Sequence, residues 1–356
     1  MLQTLDDCRW LYNHLLEQRK NAWEEREESL SLYDQIYTLP KIKEERPSLK
    51  EVHSQVLQNV AVRIDLAFKA FFRRVKAGEK PGYPRFRGSG RYDSFTYPQA
   101  PSGCKLMGNL LYLSKIGKIR VVLHRPIEGT PKNCTIRRLP TGKWFVTFSC
   151  EWEPTPLPES HEEVGIDVGL HHFAVLSNGE KIDNPRFFRQ EEQALAKAQR
   201  LMCKEEKGTP PRAKRRKVVA RVHERIAWRR ENFTHQESRW IVDRYGIIAV
   251  EDLEVNRMVH NRCLAKSISD AAWIQFTKLL AWKAGCAARR FVKVNPAYTS
   301  QTCSQCGHRQ KLPLSERVYS CPCCRAELDR DQNAALNILA LGRQCLGLTP
   351  LEATRL

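Results

Sequence analysis

The sequence predicts an α/β protein of several domains, in which a helical region and a β-rich region precede a mixed α/β domain. Apolar side chains at helical spacing fill residues 48–77, whereas short apolar runs divided by Pro and Gly fill residues 94–150. Further on, apolar strands at residues 164–169 and 246–251 flank a long helical stretch, an alternation typical of a parallel sheet. At 356 residues, 42% of them hydrophobic, the chain can hold two or three domains with their own cores.

The N-terminal part divides into helices and strands. We expect helices over residues 4–32 and 48–77, the second opening with a capping box of Ser48 and Glu51 and ending at Gly78. An antiparallel sheet or small barrel should follow, with a hairpin turn at residues 140–142. Its strands are predicted at residues 94–97, 110–113, 118–123, 133–138 and 144–150.

The C-terminal part should begin after a proline-rich linker at residues 154–158. A helical hairpin is expected over residues 187–245, broken near 208–211, with a seam of Val219, Ile226, Phe233 and Trp240 at seven-residue intervals. The remaining elements are predicted as strands at 164–169, 172–176, 246–251 and 290–294, and helices at 268–286 and 332–341.

The charge balance points to a polyanionic partner. Lys and Arg number 59 against 40 Asp and Glu, a formal net charge of +19. Many of the cations lie on the second arm of the predicted hairpin, with few acids near them in the sequence, which favours a phosphate-binding surface over a merely solvated face. This basic arm comprises Arg212, Lys214, Arg215, Arg216, Lys217, Arg221, Arg225, Arg229 and Arg230.

Two CxxC pairs predict a zinc ribbon. Cys303, Cys306, Cys321 and Cys324 supply four thiolates, the ligand number of a closed tetrahedral zinc site, and Cys323 is expected to be a bystander. The other eight cysteines are scattered singly, which favours reduced thiols over a disulfide framework.

Three acids stand where an α/β sheet carries its chemistry. Asp167 lies between glycines on a strand, Glu251 ends an apolar strand, and Asp331 is expected to cap the last helix, with Asp329 as its competitor. A helix-capping or surface role alone would explain any one of them. Together they match the first-strand Asp, later-strand Glu and helical Asp of a ribonuclease-H-like nuclease, in which carboxylates hold two Mg²⁺ or Mn²⁺ ions.

The sequence lacks the motifs of nucleotide-hydrolysing, secreted and membrane-spanning proteins. There is no glycine-rich loop ending in Gly-Lys-Ser/Thr, so ATP chemistry is not expected. There is also no secretory leader and no run of about 18 apolar residues, so we expect a cytoplasmic, nucleoid-associated protein without a membrane partner. The sequence does not specify an oligomeric state.

Five stretches together resemble one family, the transposon-encoded TnpB proteins, compact relatives of the type V CRISPR effectors. They are VGIDVGL at 164–170, VEDL at 250–253, NPAYTSQTCSQCG at 295–307, YSCPCC at 319–324 and DRDQNAALNI at 329–338. The resemblance implies an RNA-guided DNA endonuclease that binds a guide RNA and double-stranded target DNA. It also implies a RuvC nuclease domain with Asp167, Glu251 and Asp331 as catalytic residues.

The resemblance divides the chain into named regions. It implies a helical recognition region at 1–79, a β-rich wedge domain at 80–160, RuvC-like parts at 161–300 and 325–345, a zinc ribbon at 301–324 and a tail at 346–356. Family members usually begin with a basic, aromatic strand ahead of the segment at 8–13, so a first barrel strand is expected to be missing here. Arg325 stands where the family commonly has glycine.

Two other classes of protein remain open at this point. An inactivated relative would bind nucleic acid for repression, and its expected mark is the loss of one of the three acids, all of which are present. A DNA-joining transposase, or a transposase accessory protein, is the second alternative. A joining enzyme should carry a nucleophilic Tyr or a His pair for strand transfer, and no convincing one is found.

Overall fold

The computed structural model describes residues 1–313 and 316–348, so most of the predicted tail lies outside the described residues. The chain forms two compact units, Met1–Glu153 and Pro154–Leu356. The elements of the first unit are α1 (Leu2–Arg26), α2 (Leu32–Glu45), a 3₁₀ helix (Pro47–Glu51), α3 (Ser54–Lys76), β1 (Ser94–Tyr97), α4 (Ala100–Gly103), β2 (Cys104–Met107), β3 (Leu110–Leu113), β4 (Gly117–Arg120), β5 (Thr130–Arg138) and β6 (Trp144–Glu151).

The first unit packs helices and antiparallel strands around one apolar core. Its strands form two sheets, in the orders β1-β5-β6 and β2-β3-β4, so the predicted antiparallel pairing is confirmed. Leu15 of α1, Ile64 of α3 and Phe95 of β1 are fully buried together. The predicted hairpin turn is present, because Leu139 and Lys143 pair across it and Gly142 has a φ of 91°.

Two predictions about the first helices are wrong. The helix expected over residues 4–32 ends at Arg26, where Glu27 has a left-handed φ of 53°, and α2 follows as a separate helix despite its internal Pro40. The capping box lies at Ser31 and Asp34, whose side chains and backbone N–H groups bond reciprocally. Ser48 and Glu51 lie instead in the 3₁₀ helix, because the side chains of Arg46 and Ser48 donate hydrogen bonds to the buried Asp7 carboxylate.

The second unit is built on a five-stranded mixed sheet. Its elements are β7 (Glu163–Val168), β8 (His172–Leu176), β9 (Lys181–Asp183), α5 (Phe187–Cys203), α6 (Pro210–Arg244), β10 (Ile247–Glu251), α7 (Val255–Met258), α8 (Ala265–Ala271), α9 (Trp273–Cys286), β11 (Arg290–Val294), β12 (Val318–Ser320), β13 (Glu327–Asp329) and α10 (Arg330–Cys345). The strand order is β11-β10-β7-β8-β9, with β7, β10 and β11 parallel and β8 antiparallel to both its neighbours.

Helices cover both faces of this sheet. Phe276 and Leu280 of α9 and Ile241 of α6 bury one face, and α10 lies on the other. The predicted hairpin seam is only half right: Ile226 packs between α5 and α6, whereas Phe233 packs against the sheet core, because α6 is long enough to serve both. The helix expected over 268–286 is divided at Ala272, which has a φ of 57°. Among the described residues, no helix is long and apolar enough to span a membrane.

The close approach of α10 depends on Gly165. A Cβ at this residue would lie 2.0 Å from the backbone oxygen of Ala335, so any side chain would push the helix off β7. Gly342 makes a similar approach to Ala249 of β10. The sheet therefore fixes the position of α10, including its first turn.

We expect Gly165→Ala to destabilise the second unit by about 1–3 kcal/mol, the usual cost of overpacking a rigid contact. Gly285→Ala on α9 is the matched control, since a Cβ there meets nothing within 4 Å and alanine favours helix by about 1 kcal/mol. Chemical denaturation of both variants measures the effect. Equal stability of Gly165→Ala and the wild type would show that α10 is not held by this contact.

Candidate active site

The strand register brings Asp167 and Glu251 side by side. Val250 of β10 pairs in parallel with Ile166 of β7, and the two acids follow these residues on their strands. Residues in register on neighbouring parallel strands project to the same face, and both acids lie two residues beyond positions that contact α10. Asp167 and Glu251 therefore face the side of the sheet that α10 covers.

Asp331 lies in the first turn of α10, one turn before Ala335, the residue whose backbone meets Gly165. One helical turn rises about 5.4 Å, close to the length of two residues along a strand. The contact at Gly165 therefore places the first turn of α10 beside the carboxyl ends of β7 and β10. The three predicted acids belong to one region of the structure.

The expectation that Asp331 caps the last helix is wrong, because Asp329 is the capping residue. Its Oδ1 accepts hydrogen bonds from the backbone N–H of Asp331 at 2.9 Å and of Gln332 at 3.3 Å. Lys181 Nζ also lies 2.6 Å from Asp329 Oδ2. Partial burial acts to raise the pKa of Asp329, but these donors outweigh it and lower the pKa. Asp329 is thus satisfied within the protein, whereas among the described residues the Asp331 carboxylate has an ion-pair approach only from Arg317, at 3.7 Å.

The electrostatics of the site favour a bound cation. Burial raises the pKa of Asp167 well above its usual range, and the neighbouring charges of Glu251 and Asp331 raise it further. Burial also raises the pKa of Glu251, which a 2.5 Å hydrogen bond from Thr299 Oγ1 partly offsets. Carboxylates that repel one another at a partly buried site become more stable when a divalent cation lies between them.

These carboxylates fit magnesium or manganese in kind. In the part of the chain that the structure describes, the cysteine group is the only set of three or more metal-ligating side chains whose donor atoms all lie within 4.8 Å of one another. The three carboxylates do not form a set as compact as this one.

Sequence reasoning missed the side chains that support this site. Thr299 holds the Glu251 carboxylate, and Asn337 donates to the carbonyl oxygens of Thr299 and Thr302 at 2.8 and 2.7 Å. The buried Asn333 accepts from Ser304 N–H and donates to Thr302. Two asparagines one turn apart on α10 thus hold the loop before the cysteines against the helix. In the sequence, the only signal for this role is a pair of polar residues on the apolar face of the helix.

The cysteine box forms one compact group. The sulfurs of Cys303 and Cys324 lie 3.6 Å apart, and those of Cys306 and Cys321 lie 3.5 Å apart. With zinc–sulfur bonds of about 2.3 Å, a tetrahedral site separates its sulfurs by about 3.8 Å, so the group fits zinc. Backbone N–H groups of Cys324 and Cys323 help to lower the pKa of Cys321 to about 6, whereas burial raises the pKa of Cys303 to about 12. Cys323 is exposed and lies outside the group.

Arg325 occupies a conformation that suits glycine. Its φ is 60°, and Gly307, which follows the other CxxC pair in the same way, has a φ of 75°. A left-handed conformation costs a residue with a side chain about 1–2 kcal/mol. The departure from the family pattern at Arg325 therefore weakens the second cysteine turn without removing a ligand.

The premise that few acids lie near the basic arm is wrong for part of it. Arg225 and Arg229 both pair with the buried Glu191 of α5, and Arg230 pairs with Asp270 of α8. These pairs hold α6 against its neighbours. Arg212 donates to backbone oxygens of residues 202 and 205, and Arg215 lies 3.7 Å from Glu205. The remaining four, which make no ion pair with any described residue, are Lys214, Arg216, Lys217 and Arg221.

Lys214, Lys217 and Arg221 share one exposed helix face, at positions i, i+3 and i+7. If they bind phosphates, replacing all three by Gln should lower the log–log salt slope of DNA affinity by about 0.7–0.9 for each lost contact. The double variant Arg225→Gln/Arg229→Gln is the control. It should lower the free energy of unfolding, because both arginines pair with Glu191, and leave the salt slope nearly unchanged. An unchanged slope in the triple variant would mean a solvated face, and altered target preference would mean readout of bases or shape.

Comparison with known proteins adds relatives over the whole chain. The OrfB_IS605 family model, described as "probable transposase", matches residues 147–262; a Cas12f1-like TNB domain matches 273–338, and a helix-turn-helix domain matches 1–28. A Streptomyces pristinaespiralis protein with the provisional name RNA-guided DNA endonuclease is 37% identical over 347 residues, covering 96% of this chain and 85% of its own.

One further sequence relative and one solved structure also match this chain. InsQ of Escherichia coli strain K12, also provisionally named an RNA-guided DNA endonuclease, is 31% identical over 317 residues, covering 84% of this chain and 77% of its own. A cryo-EM structure of the Cas12f1-sgRNA-target DNA complex aligns with 95% of this chain and 93% of that chain, at 14% identity and a TM-score of 0.38. The family assignment rests on the two sequence relatives.

Proposed function

Because this chain belongs to the TnpB family of transposon-encoded proteins, we propose that it is an RNA-guided DNA endonuclease that cuts phosphodiester bonds at Asp167, Glu251 and Asp331. The register of β7 and β10 is the observation that carries this proposal, because it puts two acids side by side on the face that α10 covers. All three acids are present, which argues against an inactivated relative.

The sheet supports a ribonuclease-H-like, RuvC-type nuclease domain. On one side of β7 lie β8 and β9, and each of these three consecutive strands is antiparallel to the next. On the other side lie β10 and β11, which run parallel to β7. The first strand carries the Asp, the fourth carries the Glu and the last helix carries the second Asp, as that fold requires. The cysteine box, a zinc ribbon in this proposal, lies between β11 and α10 in the sequence and is fastened to α10 by Asn333 and Asn337.

The side chains of the site have separate roles in this proposal. Asp167, Glu251 and Asp331 hold the divalent ions, Thr299 orients the Glu251 carboxylate, and Asp329 fixes the start of α10 through its N-cap. Bound magnesium ions supply activation of water and stabilisation of the leaving oxygen. Because Lys181 and two backbone N–H groups already satisfy Asp329, Asp331 is the better ligand of the two.

The partners are a guide RNA and double-stranded DNA that matches it. A net charge of +19 suits both, and in this class of enzyme base pairing with the guide selects the target. The first unit, with its helices and antiparallel sheets, would serve as the recognition and wedge regions. Such a protein acts in the cytoplasm, at the nucleoid.

This function can be tested by expressing the chain in a host together with the DNA that flanks its gene, and then purifying the protein with any RNA that it binds. Sequencing of the bound RNA should recover one discrete species. The purified complex should cut matched DNA in Mg²⁺ and lose this activity after ribonuclease treatment or chelation. Cutting without any bound RNA would contradict the proposal and leave an unguided nuclease.

A further inference from the structure

A cavity of about 230 Å³ opens beside Glu251, on the sheet face opposite α10. Val168 and Val250 form its floor, since side chains alternate along a strand and these valines follow or precede the acids on β7 and β10. Ile274 and Ala281 of α9 form its opposite wall. Glu251 also lines the cavity, although its carboxylate is held on the other face of the sheet by Thr299, so the cavity lies beside the candidate cutting centre.

The cavity combines apolar walls with a few polar groups. Thr277, Lys278 and Lys293 contribute the polar lining. Lys293 is paired with Asp252 at 2.8 Å, whereas the exposed Lys278 makes no ion pair with any described residue. Trp273 also lines the cavity, and its buried Nε1–H has no hydrogen-bond partner among the described residues. The cavity thus offers apolar contact and a cation at its rim, whereas the buried Trp273 Nε1–H has no surface open to it.

The exposed face of α9 continues from the cavity. Ile274, Lys278 and Trp282 follow one another at four-residue intervals, so they form a stripe along one side of the helix. Trp282 is 61% exposed, which is unusual for the largest apolar side chain. Cations next to an exposed aromatic ring are the combination with which proteins hold single-stranded nucleic acid.

We propose that the cavity holds one nucleobase of the DNA strand being cut, from a nucleotide next to the scissile phosphate. Lys278 then contacts the adjoining phosphate and Trp282 stacks on a neighbouring base. The inference rests on the proposed function. A nucleobase has the right chemistry, because its faces are apolar and its edge carries hydrogen-bonding groups that the polar side chains of the lining can meet. It also fits in size, because the cavity is smaller than the roughly 300–1,000 Å³ of sites for drug-sized ligands.

A bound base next to the cutting centre would hold the phosphate in place. The sugar–phosphate backbone joins that base to the scissile bond, so capture of the base limits how far the phosphate can move from Glu251. Reactions gain rate when the reacting group is held in position in this way. The cavity would therefore influence both the position of the cut and its rate.

The proposal is tested with the full chain loaded with RNA and a series of matched DNA substrates. Each substrate carries one abasic nucleotide at a different position near the cut site, and the cleavage rate of each is measured. At one position the missing base should slow cleavage by roughly 5- to 150-fold, the effect of losing one base contact. Ala281→Leu, which fills the cavity, should slow cleavage of intact DNA by a similar factor and show no further loss on the abasic DNA. Gly285→Leu adds at least as much bulk on α9 outside the cavity lining, where an added Cβ meets nothing within 4 Å, and should behave as the wild type.

A binding readout separates this inference from the proposed function. With Asp331→Asn to prevent cutting, 2-aminopurine at the sensitive position should change its fluorescence on binding, and Ala281→Leu should remove that change. Cleavage that is equally fast at every abasic position would overturn the inference while the proposed function stands. If the wild type cuts no DNA, the proposed function fails; 2-aminopurine is then placed at each position of the matched strand in turn, and no difference between Asp331→Asn with and without Ala281→Leu at any position would overturn the cavity proposal as well.

Discussion

Replacing Asp167, Glu251 or Asp331 by the corresponding amide is expected to abolish DNA cleavage while RNA and DNA binding stay nearly unchanged. The amides keep the size of the side chains and remove the negative charge that holds divalent ions. A metal ion contributes several kcal/mol to such a reaction, so each loss should exceed about a hundredfold. Single-turnover cleavage of matched DNA and filter binding measure the two effects separately.

Asp329→Asn is the matched control for this prediction. Asparagine caps a helix about as well as aspartate, so α10 should keep its start, and only the pair with Lys181 is lost. Cleavage by this variant should stay within a few-fold of the wild type. Full cutting by Asp331→Asn would contradict the assignment of the third acid, and loss of cutting in Asp329→Asn alone would transfer that role to Asp329.

Removal of one zinc thiolate is the second change with a large expected effect. Elemental analysis should find about one zinc in each wild-type chain, as one four-thiolate site requires, and much less in Cys321→Ser or Cys324→Ser. Structural zinc contributes about 10–16 kcal/mol to folding in zinc-finger peptides, so the ribbon should unfold without it. Because the loop beside Cys303 also carries Thr299, cleavage should fall with the zinc content.

Cys323→Ser is the control for the ligand set. Cys323 lies between Cys321 and Cys324 in sequence, yet it is exposed and outside the compact group. Its replacement should keep zinc and activity. If Cys323→Ser loses the metal and Cys324→Ser retains it, the assignment of the fourth ligand is wrong.

Four strands of the second unit, β7, β8, β10 and β11, could be predicted closely because they are mostly apolar, whereas the three-residue strands β9, β12 and β13 were not predicted. Apolar alternation marks β7 and a continuous apolar run marks β10, each to within one or two residues, and the acids lie at the carboxyl ends of these segments. Their parallel pairing is what makes two distant acids neighbours, and a sequence pattern indicates it only indirectly. The positions of Asp167 and Glu251 were therefore predictable, whereas their register was not.

Contacts between distant residues account for what the sequence did not reveal. Glu191 neutralises Arg225 from a helix 34 positions away, so the basic arm is less free than its local composition indicates. Asp329 and Asp331 differ by two positions, and only the path of β13 into α10 decides which of them caps the helix. Thr299 gains its role through Glu251, 48 positions earlier. Such partners depend on tertiary packing, which local propensity does not encode.

Exchange of the guide segment in the bound RNA tests the central claim most directly. The complex would be reconstituted with RNA in which only that segment differs, and cleavage mapped on DNA that contains both the original and the new matching sites. The cut should move to the new site and disappear from the original, with the same dependence on Mg²⁺ and on Asp167. Cleavage that stays at the original site, or that occurs equally without RNA, would contradict the claim that this chain is guided by RNA.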